Sequence, residues 1–136
     1  VRGIRSRLRG ALGDDGGSSP VEFILVGTML TLLTLGVLQL GLSIYVRNVV
    51  HDAAVEGAFH AALADTSLAD GARRTREIVA RTVGSDYATD VTVRETQRLG
   101  LPTVEVTVRA TLPLVGLLGA PLAMEVSADA PAESFD

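Results

Sequence analysis

Residues 16–23 read GGSSPVEF, and residues 24–46 continue as ILVGTMLTLLTLGVLQLGLSIYV. From 23 to 46 there is no charged side chain. A helix rises about 1.5 Å per residue, so 24 residues reach roughly 36 Å, enough to cross a hydrocarbon core of about 30 Å with some tilt. A soluble helix of that length and polarity needs protein on every side, and the roughly 90 residues that follow are too few to supply it. The stretch therefore predicts a membrane-spanning helix. It also poses a question, because one carboxylate, Glu22, stands at the mouth of the apolar run, five residues after Gly17.

The remainder of the chain is consistent with this reading. The 136 residues have a mean hydropathy of +0.34, and the apolar excess is concentrated in that single run. There is no cysteine, which excludes disulfides and thiolate metal sites. All twelve basic residues are arginine, which together with the abundance of Ala, Val and Gly points to a high-GC bacterial genome. Arg2, Arg5, Arg7 and Arg9 precede the span, while only Arg47 closely follows it. Arginine-rich flanks stay in the cytoplasm, so the N-terminus is expected inside and residues 47–136 outside. That outer part holds eight arginines against thirteen carboxylates, a poor surface for nucleic acid. An ordinary secretory signal is disfavoured. The run is about twice the usual length of an apolar signal core, and it passes without a small-residue cleavage site into further helical pattern.

Glu22 has a simple local explanation. Ser19-Pro20-Val21-Glu22 has the form of a capping box, with Ser19 as N-cap, Pro20 at the first helical position and Glu22 reaching back to the cap. The helix dipole also favours a carboxylate there. This account leaves the basic leader and the glycine unexplained. Arginine-rich leader, glycine, four residues, glutamate, phenylalanine and an apolar helix together resemble a type IV prepilin, and the Glu22-Phe23 pair is closest to the tight-adherence (Tad, or Flp) branch. The resemblance implies cleavage after Gly17 by a membrane prepilin peptidase. Ser18 then becomes the N-terminus and Glu22 the fifth residue; a cut after Gly16 would make it the sixth. A carboxylate near hydrocarbon is costly unless paired. The new amine of Ser18, on the same or a neighbouring subunit, is the natural partner. Farther along the span, Gly27, Gly36 and Gly41 with Thr28, Thr31 and Thr34 offer small surfaces for helix approach, or are simply residues common in membrane helices. Gln39 is the one amide deep in the span.

Helical pattern continues past the span to about residue 65. Asn48, Asp52, Glu56 and His60 form a polar stripe, and Val50, Ala54, Ala58 and Ala61 an apolar one. A turn at 65–67 leads to a second helix over 68–82, with Ile78 and Val79 inward, Arg73, Arg74, Arg76 and Glu77 outward, and Gly84 as C-cap. From residue 89 the period becomes two. Strands are expected at about 89–98, 103–114 and 122–128, with a turn at Leu99-Gly100-Leu101-Pro102, an apolar loop VGLLGAP and a loose tail PAESFD. The fold class is α+β, pilin-like: a long N-terminal transmembrane helix continuing as a spine, a second helix, and a three-stranded antiparallel sheet. The expected organisation is a cleaved basic cytoplasmic leader at 1–17, the transmembrane helix at 18–46 and an exported domain at 47–136.

AAVEGAF at 53–59 sharpens the resemblance. It is similar to the Ala-Ala-x-Glu-Gly-Ala segment of TadE-like proteins, minor pilins or pseudopilins of the Tad system, although that family often has Arg where Val55 and Phe59 stand. The strands and the proline-and-leucine loop also resemble the end of that family. The implied partners are the membrane, the prepilin peptidase, other pilin-like subunits and the assembly platform. The implied location is the bacterial cytoplasmic membrane as a single-pass protein, or the cell surface and pilus after assembly. Catalysis is not expected. There is no cysteine nucleophile, phosphate loop or serine elbow, and His51 and His60 fall on different helix faces. Glu56 and His60, four apart, read as an exposed polar pair rather than metal ligands. No cofactor, metal, nucleic acid or small-molecule substrate is therefore expected. The competing reading is a membrane-anchored envelope protein that never polymerises and binds a partner through its outer domain.

Overall fold

The computed structural model describes residues 18–112 and 122–133. The leader with Gly16 and Gly17, the apolar loop at 115–121 and the last three residues of the tail lie outside them. The elements are helix α1 (Ser18–Ala62), helix α2 (Leu68–Thr82), a 3-10 turn (Ser85–Ala88), and strands β1 (Asp90–Arg98), β2 (Leu101–Leu112) and β3 (Leu122–Pro131). This is the expected α+β order. The chain divides into two compact units, 1–38 and 39–136.

In the first unit α1 is apolar on all sides and exposed on all sides, from Val21 to Leu38. It is the one helix among the described residues long and apolar enough to cross a membrane. Backbone is helical from Ser18, the first described residue, through Ser19 and Pro20. Pro20 permits this, because the first four N–H groups of a helix have no intrahelical acceptor and a missing one costs no bond.

In the second unit α1 becomes two-faced. Val46, Val50, Ala53, Ala54, Ala58, Ala61 and Ala62 are buried, whereas Asn48, Asp52 and Glu56 are exposed. The helix ends at Ala62, three residues short of the expected end. The Thr66 hydroxyl turns back there to donate to the carbonyls of His60 and Leu63, the latter at 3.0 Å. Ser67 then starts α2 with a complete capping box: its Oγ accepts from Asp70 N–H at 3.2 Å, and its own N–H donates to Asp70 Oδ2 at 3.1 Å. That hydrogen bonding holds the Asp70 carboxyl below its ordinary pKa, with help from Arg73. Val83 is the C-cap of α2, and Gly84 follows with φ 117°, just past the helix end where glycine is favoured.

The sheet has order β1-β2-β3 and is antiparallel throughout. Val91, Val108 and Val126 make one inward row, and Val93, Val106 and Ala128 the next. Val50, Val79, Val104, Val106 and Val108 are fully buried, each worth roughly 1.5–3 kcal/mol relative to an exposed side chain. The outward face is polar and self-satisfied. Arg94 pairs with Glu105 at 2.7 Å, and Thr107 bonds Glu105 at 3.3 Å and Ser127 at 3.0 Å. Thr103, Glu105 and Thr107 are buried although they face away from the core.

Boundaries around the sheet differ from expectation as well. The β1–β2 turn is only Leu99-Gly100, both at positive φ (54° and 80°), so Leu101 and Pro102 already belong to β2. Pro102 is tolerated because Gln97–Pro102 is a non-hydrogen-bonded pair, next to the bonded Arg98–Leu101 pair that closes the turn. Strand β3 runs three residues beyond 128, since Ala130 packs opposite Val104 and is fully buried. The start of the tail is not loose: Ala132 N–H donates to Pro102 O at 3.0 Å, and Glu133 N–H to the helix-terminal carbonyl of Ala62 at 2.9 Å.

Candidate functional site

The residues singled out at the start of the span are held by one helical turn. Ser18 and Glu22 are four apart on α1, one helical turn along the chain, and Phe23 follows Glu22 directly. Glu22 is exposed, and Phe23 is 81% exposed. From there to residue 46 Glu22 is the only carboxylate, and no charge of the chain follows it before Arg47. The helix thus carries one anionic group at its N-terminal end and an uncovered apolar surface beyond it. Gly17, the expected cleavage residue, lies outside the described residues.

Inside the span, each threonine hydroxyl donates to the carbonyl four residues back: Thr28 to Ile24, Thr31 to Gly27 and Thr34 to Leu30, all at 2.8 Å. Ser43 does the same to Gln39 at 2.9 Å. These bonds satisfy the hydroxyls within one helix, so the threonines need no partner there. Gln39 is half-buried. A Cβ built on Gly27, Gly36 or Gly41 would meet nothing within 4 Å.

The AAVEGAF segment behaves differently. A Cβ on Gly57 would stand 1.8 Å from Thr75 Oγ1 and 2.9 Å from the Gly71 carbonyl oxygen. A Cβ on Gly71 would stand 2.4 Å from Ala61 Cβ and 2.7 Å from the Gly57 carbonyl oxygen. Gly57 and Gly71 are therefore where α1 and α2 cross backbone to backbone. Thr75, fully buried, keeps its hydroxyl satisfied by donating to Gly71 O at 3.0 Å. Glu56 reaches the other way, across the surface, to Arg74 at 3.2 Å. The carboxylate of the Glu56–His60 pair thus serves helix packing, and among the described residues no group of three or more His, Asp and Glu is arranged to hold a metal ion. Arg73 pairs with Asp70 at 2.7 Å, and Arg81 pairs with Glu77. Arg76 donates instead to the Val91 carbonyl at the edge of the sheet, at 2.9 Å.

Sequence reasoning missed two of these features. The glycine pair has a legible signal, since Glu56-Gly57-Ala58 and Asp70-Gly71-Ala72 are alike, but neither glycine's partner can be assigned without the crossing. The Ser67–Asp70 box has the same Ser-x-x-acid pattern that was assigned to Ser19–Glu22, with aspartate as the acid.

The family model of TadE-like proteins matches residues 17–58, just under a third of the chain. That is the family whose features the sequence resembles. The matched stretch runs from Gly17 through Glu22 and the apolar helix to the Gly57 crossing, and it supports an association of the chain with the Tad pilus system. No curated protein and no solved structure matches the chain.

Proposed function

We propose that this TadE-like chain is a minor pilin or pseudopilin, cut after Gly17 by a prepilin peptidase and acting in assembly, or as a minor subunit, of a Tad-type pilus. It is a structural protein and not an enzyme. The N-terminus faces the cytoplasm and residues 47–136 are exported. One observation carries the reading: the apolar first part of α1, exposed from Val21 to Leu38 among the described residues, bears a single carboxylate, one turn after Ser18. A membrane anchor needs only the apolar length. A carboxylate at that position is useful to a helix that must acquire a counter-charge, and cleavage after Gly17 creates one in the Ser18 amine. Pairing it with Glu22 of the same or a neighbouring helix lowers the cost of holding the acid near hydrocarbon and favours a definite stagger between packed subunits.

The test is made in the native host. Mature protein should begin at Ser18, and Gly17→Leu should accumulate as a larger precursor in the membrane. A surface form that still begins at Val1 or Arg2 overturns the processing and leaves the non-polymerising anchor as the better reading. Glu22→Gln keeps the shape of the side chain and removes its charge. It should be inserted and cut normally but fail to co-purify with the other pilin-like subunits. If it is recruited like the wild type, the charge-pairing role is wrong. Protease added to spheroplasts should digest residues 47–136 and spare the leader; protection of the outer domain reverses the topology.

A further inference from the structure

Within the second unit, backbone hydrogen bonds fix which end of the sheet lies toward the apolar span. Glu133 N–H donates to the carbonyl of Ala62 at 2.9 Å, and Ala132 N–H to that of Pro102 at 3.0 Å, so the start of β2 and the end of β3 stand beside the end of α1. From there the sheet runs back along the helix, for Val46 and Val50 of α1 share one core with Val108, Val126 and Met124. The stretch from Pro102 to Arg109 measures roughly 23 Å as strand at about 3.3 Å per residue. The stretch from Ala62 back to Arg47 measures roughly 22 Å as helix. The row Asp90–Arg109–Glu125, held by the 2.7 Å pair of Arg109 with Glu125, therefore stands near the level of Arg47, the first charge after the span.

Strand β2 continues past that row to Leu112. Even inclined by about 30° to α1, it covers about 28 Å between Pro102 and Leu112, whereas Val46 lies only about 24 Å back from Ala62. The strand end thus reaches the level of the last turns of the span, and it arrives there without charge. Between Arg109 and Glu125 no residue is charged. Thr111 and Ala123, opposite each other on β2 and β3, are exposed, and Leu112 is half-buried. On α1, Ser43 and Gln39 are half-buried, one and two turns inside the span from Val46, while Leu40 and Leu42 are exposed. One face of the helix is therefore covered at the depth that the sheet end reaches.

We propose that the end of the sheet carrying Thr111, Leu112 and Ala123 sits in the headgroup–acyl boundary of the bilayer that α1 spans, in contact with phospholipid. Lipid is the occupant because this surface is continuous with the span and lies at the depth, about 5–10 Å into the boundary, where apolar faces bind membranes. The charged row stays with Arg47 among the headgroups. The outer domain is then attached at two points, which gives it a defined height and tilt over the membrane. The inference rests on the membrane reading of residues 23–46 and on neither cleavage after Gly17 nor Glu22.

The chain has no tryptophan, so a single introduced one reports alone. The full chain carrying Ala123→Trp is reconstituted at one copy per nanodisc of phosphatidylcholine and phosphatidylglycerol, with or without phosphatidylcholine spin-labelled near the top of its acyl chain. Leu40→Trp, exposed within the span, and Leu101→Trp, exposed at the other end of the sheet, are the references. The spin label should quench Ala123→Trp to the same extent as Leu40→Trp and leave Leu101→Trp unchanged, and acrylamide in the water should do the reverse. Thr111→Trp on the facing strand should repeat the Ala123→Trp result. If Leu40→Trp is quenched by the label while Ala123→Trp and Thr111→Trp behave like Leu101→Trp, the anchor stands and the sheet contact is overturned. Protection from both quenchers overturns it too, because the chain itself then covers the sheet end. A Leu40→Trp that the label does not reach refutes the membrane reading and, with it, the contact.

Discussion

Helix α1 contains glycines in two situations, and the contrast separates its two halves. Gly27, Gly36 and Gly41 have open space where a side chain would be, whereas Gly57 has Thr75 and Gly71 inside van der Waals distance. All four are helical, and helical glycine costs up to about 1 kcal/mol relative to alanine. At Gly57 that cost is offset within the chain, by an approach of two backbones that no other residue permits. At Gly27, Gly36 and Gly41 nothing among the described residues offsets it. The same contrast appears in the apolar side chains, buried at Val50 and Ala54 but exposed at Leu30 and Leu33. One half of the helix has its partner in the same chain, and the other half is uncovered among the described residues.

Breaking the crossing should give the largest effect. Gly57→Ala places a methyl against the Gly71 backbone carbonyl, which cannot swing away, and overpacking of this kind costs about 1–3 kcal/mol or more. A fall in melting temperature of several degrees, or loss of folded protein, is expected by circular dichroism in detergent. An unchanged melt would mean that the two helices can separate at no cost.

Next comes the cap of α2. Ser67→Ala should cost about 1 kcal/mol. The effect has a pH signature, because hydrogen bonding to Ser67 lowers the pKa of Asp70 in the folded state. A group with a lowered folded pKa contributes stability above its unfolded value, and that contribution is lost as pH falls through the folded value. The difference between wild type and Ser67→Ala should therefore be constant from pH 5 to 7 and shrink below about pH 4. Parallel melting curves down to pH 3 would contradict the assignment.

A smaller gain is expected at the sheet tip. Leu99→Asn relieves a left-handed backbone that costs a leucine about 1 kcal/mol, so it should raise the melting temperature slightly. The smallest effect sharpens the glycine comparison from its other side. Gly36→Ala meets nothing within 4 Å and should leave the melting of the outer fold unchanged, within about 0.5 kcal/mol. If it instead destabilised the protein as Gly57→Ala does, the two halves of α1 would not differ as described.

Much of the fold was legible because its elements are announced by local periodicity. The 24 uncharged residues, the apolar stripe through Val50, Ala54 and Ala58, and the alternation of Val104, Val106 and Val108 each specify an element from its own residues. Boundaries were less legible, because they depend on partners far away in sequence. Ala130 extends β3 only because Val104 lies opposite, and Glu133 is tied down only because the carbonyl of Ala62 is unsatisfied. Within the candidate site, the spacing from Ser18 to Glu22 could be read from the chain, since one helical turn fixes it.

The sequence by itself determined that one segment is long and apolar enough to span a membrane, that its only carboxylate sits at its entrance, and that a helical pair and a three-stranded sheet follow. These properties depend on residue type and on spacing along a single element. Tertiary structure decided what the small and turn residues do. Whether a glycine is a close-contact point or idle surface depends on what stands across from it, and a leucine in a turn becomes conspicuous only when its backbone angle and exposure are known together. Packing and backbone conformation are properties of two segments meeting, and neither segment encodes them alone.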